Sequence, residues 1–175
     1  KRVRQALGKA EDVPSPEYVP LRMRRVNQRQ KVVTIQAKAD ARRDDLVSQF
    51  ARVASLNGWQ VYRAQSRQDA VSYVVSLVRD KGVGLIVRSD HEILKRIPLD
   101  QALHAQGARI RVVKVDRSVG RRQLREEMAR AQLGITGVDY AVAETGTCVL
   151  LPRPGVSRAV SLLPPIHLAI VETNQ

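Results

Sequence analysis

Apolar side chains recur along this chain in short runs whose period switches between helix and strand. Leu46, Phe50, Val53 and Leu56 return near a helical period. They predict a long amphipathic helix from Ala37, stopped by Asn57-Gly58. Trp59 to Ala64 alternates and predicts a strand. Ser66, with Asp69 three residues on, forms an acidic variant of the capping box. The helix it opens carries Val71, Val74, Val75 and Val78 and ends at Gly82. Gly84-Leu85-Ile86-Val87 is a short apolar run of the kind that forms a buried strand. Asp100 to Gln106 predicts a short helix and Arg109 to Val115 another strand. Arg121 to Gln132 follows as a helix with Leu124, Met128 and Ala131 inward and Gly134 beyond its end. Thr136 falls in the turn that follows, and Asp139 at the head of a buried strand, Tyr140 to Ala143. Cys148 to Leu151 pairs back against that strand, and Ile166 to Val171 is the last one. Strands alternating with helices predict an α/β fold: a mostly parallel sheet flanked by helices.

The first 36 residues follow a different pattern. Residues 1–8 read as a short basic helix with Val3, Ala6 and Leu7 on one face and Gly8 as its stop. Val13 to Pro20 holds three prolines in seven residues, which forbids a helix and favours extended backbone. Residues 1–36 therefore form a basic helix and proline-rich linker arm, and residues 37–175 the α/β domain.

Composition and charge narrow the possible functions. At 175 residues and 43% hydrophobic side chains, the chain has enough to bury a core without staples. Its apolar runs are too short to span a bilayer, and no signal-peptide core follows the first helix, so a cytoplasmic location is expected. The formal net charge is +13, and 23 of the 30 basic residues are arginine. Residues 1–31 hold nine basic and three acidic side chains, so about half of the excess lies in the arm. Such an arm is a foothold on nucleic acid or on an acidic protein surface, or simply a solvated tail. With one Trp, one Phe and four Tyr there are few faces on which bases could stack, so nucleic acid is disfavoured as a partner. The single cysteine, Cys148, cannot supply a disulfide or the thiolates of an iron–sulfur cluster. His91 and His104 have no partner at metal-ligand spacing, so no metal is expected. Gly82-Val83-Gly84 precedes a strand, the wrong side for a dinucleotide loop, and no cofactor is expected in this chain.

In parallel sheets ligands gather beyond the carboxyl ends of the strands. That rule points to Arg88-Ser89-Asp90-His91, to Asp116-Arg117-Ser118, and to the turn after Ala143. In that turn, Glu144 is either a general base or nucleophile, or the ion-pair partner of an arginine such as Arg158. Thr145, Gly146 and Thr147 offer hydroxyls, a positive φ and amides for an anion, or merely turn the chain. Arg158, with Ser161 in the same loop, presents a fork suited to a carboxylate or phosphate, or is a surface arginine among many. His167 opens an apolar run and is either a satisfied structural histidine or a proton carrier.

Gly134 to Thr147 (Gly-Ile-Thr-Gly-Val-Asp-Tyr-Ala-Val-Ala-Glu-Thr-Gly-Thr) resembles the signature of the LUD-domain family of lactate-utilization proteins. Arg158, Ser161-Leu162-Leu163-Pro164 and His167 to Val171 follow at that family's spacing, and Val3 to Gly8 is similar to its opening helix. The lone cysteine is similar to the C-type member, which lacks the cysteine-rich motifs of its partners. The resemblance implies a fold similar to the superfamily of sugar-phosphate isomerases and CoA transferases (the NagB/RpiA type). It implies an accessory or substrate-handling subunit in the oxidation of L-lactate to pyruvate, with iron–sulfur clusters on partner subunits and a small carboxylate as a possible ligand. Glu144 would then be the catalytic candidate and Thr145, Gly146, Thr147, Arg158, Ser161 and His167 the substrate-binding ones. The alternative is a self-contained transferase or isomerase acting on a CoA ester or sugar phosphate through Glu144. Members of the family usually continue beyond the last strand, so the C-terminal part of the family domain is expected to be absent from these 175 residues.

Overall fold

Between Pro20 and Gly58 the chain has neither proline nor glycine, and it is helical almost throughout. The computed structural model describes residues 21–113, 121–152 and 158–174, and the expected elements over residues 1–8 and 13–20 lie outside them. Its two units are Lys1–Arg42 and Arg43–Gln175. In the first unit helix α1 spans Leu21–Ala41, so helix begins well before Ala37. Residues 27–41 are exposed all round, and without an apolar stripe there was no period to read.

The second unit opens with α2, Arg43–Leu56, which carries Asp44 and Asp45 where the helix dipole favours anions. Leu46, Phe50 and Val53 are half-buried as the periodicity requires, but Leu56 is 75% exposed. Residues 59–64 form no strand: they pair with no other strand among the described residues. Side chains hold this segment instead, Tyr62 stacking on Tyr73 with ring centroids 4.1 Å apart. Helix α3, Arg67–Asp80, is capped as its sequence predicts. Ser66 Oγ accepts from the Asp69 amide at 3.0 Å, and the Asp69 carboxylate reaches back to the Gln65 amide at 2.8 Å.

The remaining elements are β1 (Leu85–Ser89), α4 (Glu92–Lys95), α5 (Leu99–Ala105) and β2 (Arg109–Val113), then α6 (Arg121–Arg130), β3 (Leu133–Gly137), β4 (Tyr140–Val142), β5 (Thr147–Val149), α7 (Ala159–Leu162) and β6 (Ile166–Ile170). Four strands form one parallel sheet in the order β2-β1-β3-β6, while β4 and β5 make a separate antiparallel hairpin. The fold is therefore α/β with a parallel sheet flanked by helices. Residues of α3 and α5 pack with Ile86, Leu133 and Ile135 on one face. Met128 of α6 and Val160 of α7 pack with Val87 and Val113 on the other. Strand β1 has β2 on one side and β3 on the other, a reversal of strand order beyond whose carboxyl ends parallel sheets place their ligands.

Strand β3 corrects the sequence reading, which placed Gly134 and Thr136 in a turn. All five of its residues are buried. Its glycines mark close approach rather than a bend. A Cβ on Gly134 would lie 1.9 Å from the Val160 carbonyl oxygen, and one on Gly137 would lie 2.3 Å from His91 Nδ1. Tyr140 to Val142, expected to be buried, is instead an exposed to half-buried hairpin strand, paired with Thr147–Val149 as anticipated.

Candidate active site at the carboxyl end of the sheet

Four buried polar residues lie on or just beyond the central strands: Arg88, Ser89, His91 and Thr136. Arg88 is committed to structure. Its Nε and Nη2 donate to the two oxygens of Asp100 at 2.7 and 2.6 Å, and its Nη1 donates to the Ser89 carbonyl at 3.0 Å. This bidentate pair ties α5 to β1.

His91 caps α4, its Nδ1 accepting from the Ile93 amide at 3.3 Å. An Nδ1 that accepts puts the ring proton on Nε2, which lies 3.4 Å from Asp139 Oδ1. The other carboxylate oxygen of Asp139 accepts from the Leu151 amide at 2.7 Å. His91 and Asp139 thus join the ends of β1 and β3 to the chain leaving the hairpin.

The opposite face of the sheet holds a second polar group. Val87 packs against α6 and α7, so Ser89, two residues on, faces the same side. Arg88 pairs with Ile135, and continuing that register sets Ser89 level with Thr136. Thr136 Oγ1 lies 2.8 Å from Nε2 of His167, its diagonal neighbour on β6. Burial holds the His167 imidazole below its ordinary pKa, so the ring is held in its neutral form. Ser89 Oγ is fully buried and has no hydrogen-bond partner among the described residues.

The residues singled out in the sequence fall into separate places. Glu144 is exposed in the β4–β5 turn and, among the described residues, forms no hydrogen bond or ion pair, with Arg158 or otherwise. Gly146 has φ +62°, as a tight turn requires, but what approaches its backbone is α2: a Cβ there would lie 2.5 Å from the Ala54 amide nitrogen. Thr145 is bound within the turn. Its amide donates to the Val142 carbonyl, its hydroxyl donates to Thr147 Oγ1 at 2.9 Å, and its carbonyl accepts from Asn57 Nδ2 at 2.9 Å. Arg158 is exposed at the head of α7, and Ser161 Oγ donates to its carbonyl at 2.8 Å. His167 packs against Trp59. The indole meets the imidazole edge-on at 6.1 Å, and the Trp59 amide donates to the Ala54 carbonyl at 3.1 Å. Asp116, Arg117 and Ser118 lie outside the described residues.

In the sequence Arg88 to His91 stand out by position, with Asp90-His91-Glu92 reading as a helix start, which His91 is; Thr136 reads as part of a turn and Asp139 as the head of the next strand. The signal that finds them is the carboxyl end of a parallel strand, once β3 is known to be one. Among the described residues no group of three or more His, Cys, Asp or Glu could hold a metal ion, and no helix is long and apolar enough to cross a membrane.

The model of the LUD domain matches residues 47–175. The uncharacterized electron transport protein YkgF of Escherichia coli is 24% identical over 73% of this chain and 36% of its own length. Lactate utilization protein B of Bacillus pumilus is 23% identical over 73% of the chain and 37% of its own. Lactate utilization protein C of Halalkalibacterium halodurans is 48% identical over 56 residues, 32% of the chain and 24% of its own. The matched region thus spans about a third or less of these relatives. No solved structure matches the chain. With its glycine-bearing central strand, its hairpin and its last strand all inside the matched region, the chain belongs to the LUD domain family.

Proposed function

We propose that this chain is the substrate-handling or accessory part of a cytoplasmic L-lactate utilization system that oxidises L-lactate to pyruvate. The observation that carries this reading is similarity across the LUD domain to proteins named for lactate utilization. Converting lactate to pyruvate releases two electrons and two protons. An iron–sulfur cluster needs several thiolates, whereas this chain has one cysteine, half-buried on β5 with burial pushing its thiol pKa up. The electrons are therefore assigned to iron–sulfur partner subunits, and this chain's contribution is to bind and orient the acid. Arg158, exposed at the head of α7, is the proposed carboxylate fork.

No observation favours the transferase alternative. A nucleophilic carboxylate needs neighbours that tune and position it, and Glu144 is a solvated side chain at a turn. The test is lactate-dependent dye reduction by the reconstituted subunits. Adding the wild-type chain is expected to raise turnover, and Glu144→Gln to leave it within about twofold. A wild-type chain that adds nothing sinks the lactate reading, and a loss of tenfold or more in the variant returns Glu144 to the chemistry.

A further inference from the structure

Among the described residues, Ser89 Oγ is the buried side-chain polar atom left without a hydrogen bond. An unpaired buried hydroxyl costs stability, and native structures keep few of them. On its β2 side Ser89 pairs with the buried Val113, but on its β3 side the sheet surface is polar where a core would be apolar. Thr136 stands level with it on β3, and His167 reaches Thr136 from β6 at 2.8 Å. Ala169, the β6 residue paired with Thr136, puts only a methyl group beside them. Ser89 is the last residue of β1 and Thr136 the last but one of β3, at the carboxyl ends where parallel sheets place their ligands, and His167 supports Thr136 from the second residue of β6.

We propose that Ser89, Thr136 and His167 form a binding site for the 2-oxygen of a small 2-hydroxy or 2-oxo acid. The inference deepens the lactate reading and rests on it for the choice of ligand class. Each group has a defined part. Ser89 Oγ–H is an unspent donor, and its lone pairs accept from a ligand hydroxyl. Thr136 and a neutral His167 share one hydrogen bond, whose direction can reverse as the ligand presents a hydroxyl or a carbonyl. The row is neutral, so it selects for the ligand's 2-oxygen and leaves the carboxylate to a cation such as Arg158.

The test is ligand binding to the 175-residue chain, followed by thermal shift and calorimetry with L-lactate, pyruvate and propionate, which lacks a 2-oxygen. Lactate, pyruvate or both are expected to bind the wild type, and propionate at least about tenfold more weakly. Ser89→Ala removes an unpaired hydroxyl, so the free variant is expected to melt about 2–4 °C higher while binding the acids at least about tenfold more weakly. Because the variant is expected to be more stable, lost binding cannot be ascribed to unfolding. Thr136→Val, which breaks the bond to His167, is expected to weaken binding to a similar degree. Equal binding by wild type and Ser89→Ala, or equal binding of propionate, overturns the proposal. Pyruvate binding without lactate binding supports the site and counts against lactate as the substrate. Binding of none of the three overturns the site, whereas the lactate reading then stands or falls by dye reduction.

Discussion

Two glycines with the same backbone angle separate what a turn needs from what packing needs. Gly82 and Gly146 both have φ +62°, but a Cβ on Gly82 meets nothing within 4 Å, while one on Gly146 would collide with the α2 backbone at Ala54. Gly82→Ala is therefore expected to cost about 1 kcal/mol, the left-handed backbone penalty alone. Gly146→Ala is expected to cost about 3 kcal/mol, because helix or hairpin must also shift. Urea denaturation of the two variants measures the difference, and equal costs would mean that α2 yields freely to the hairpin. The Gly-Thr pair was legible in the sequence as a turn. That its close approach is to a helix was not, because Ala54 is remote in sequence and nothing in its local pattern points at residue 146.

Among the elements, β1 and α5 show how a polar residue enters the core. Arg88 is almost fully buried because both oxygens of Asp100 and a backbone carbonyl satisfy its guanidinium. Asp100→Ala leaves that cation buried and unpaired. It is expected to cost about 3 kcal/mol by chemical denaturation, whereas Arg88→Met, which removes the charge with the partner, is expected to cost less. A greater loss for Arg88→Met would show that the pair itself stabilises the fold. The caps of α3 and its valine stripe were fully readable, since every residue involved is local in sequence. The opposite held for β3. Two glycines in five residues read as punctuation, and only the neighbours crowding them, Val160 and His91, show why side chains are excluded from a central strand.

For the whole molecule, the site's electrostatics set a pH dependence. Burial lowers the His167 pKa from its ordinary 6.5. The unfolded chain therefore takes up a proton at pH values where the folded chain resists it. This contribution to stability is present in full above the ordinary value and is lost as pH falls from there through the folded value. The urea midpoint from about pH 7.5 to about pH 5 is expected to fall more steeply for wild type than for His167→Gln. Parallel curves would mean that His167 titrates alike in both states.

The sequence by itself determined the alternation of strands and helices, the α/β class, the capped helix α3 and the family signature. Periodicity, caps and motifs are local, and they are written in consecutive residues. It also identified the carboxyl ends of the strands as the place for a ligand. Tertiary structure decided which polar side chains share that place. It buried Ser89 level with Thr136, bonded Thr136 to His167, spent Arg88 on Asp100, joined His91 to Asp139, and left Glu144 in solvent at a turn. Those outcomes depend on strand order and register, which bring together residues far apart in the chain, and no local pattern encodes them.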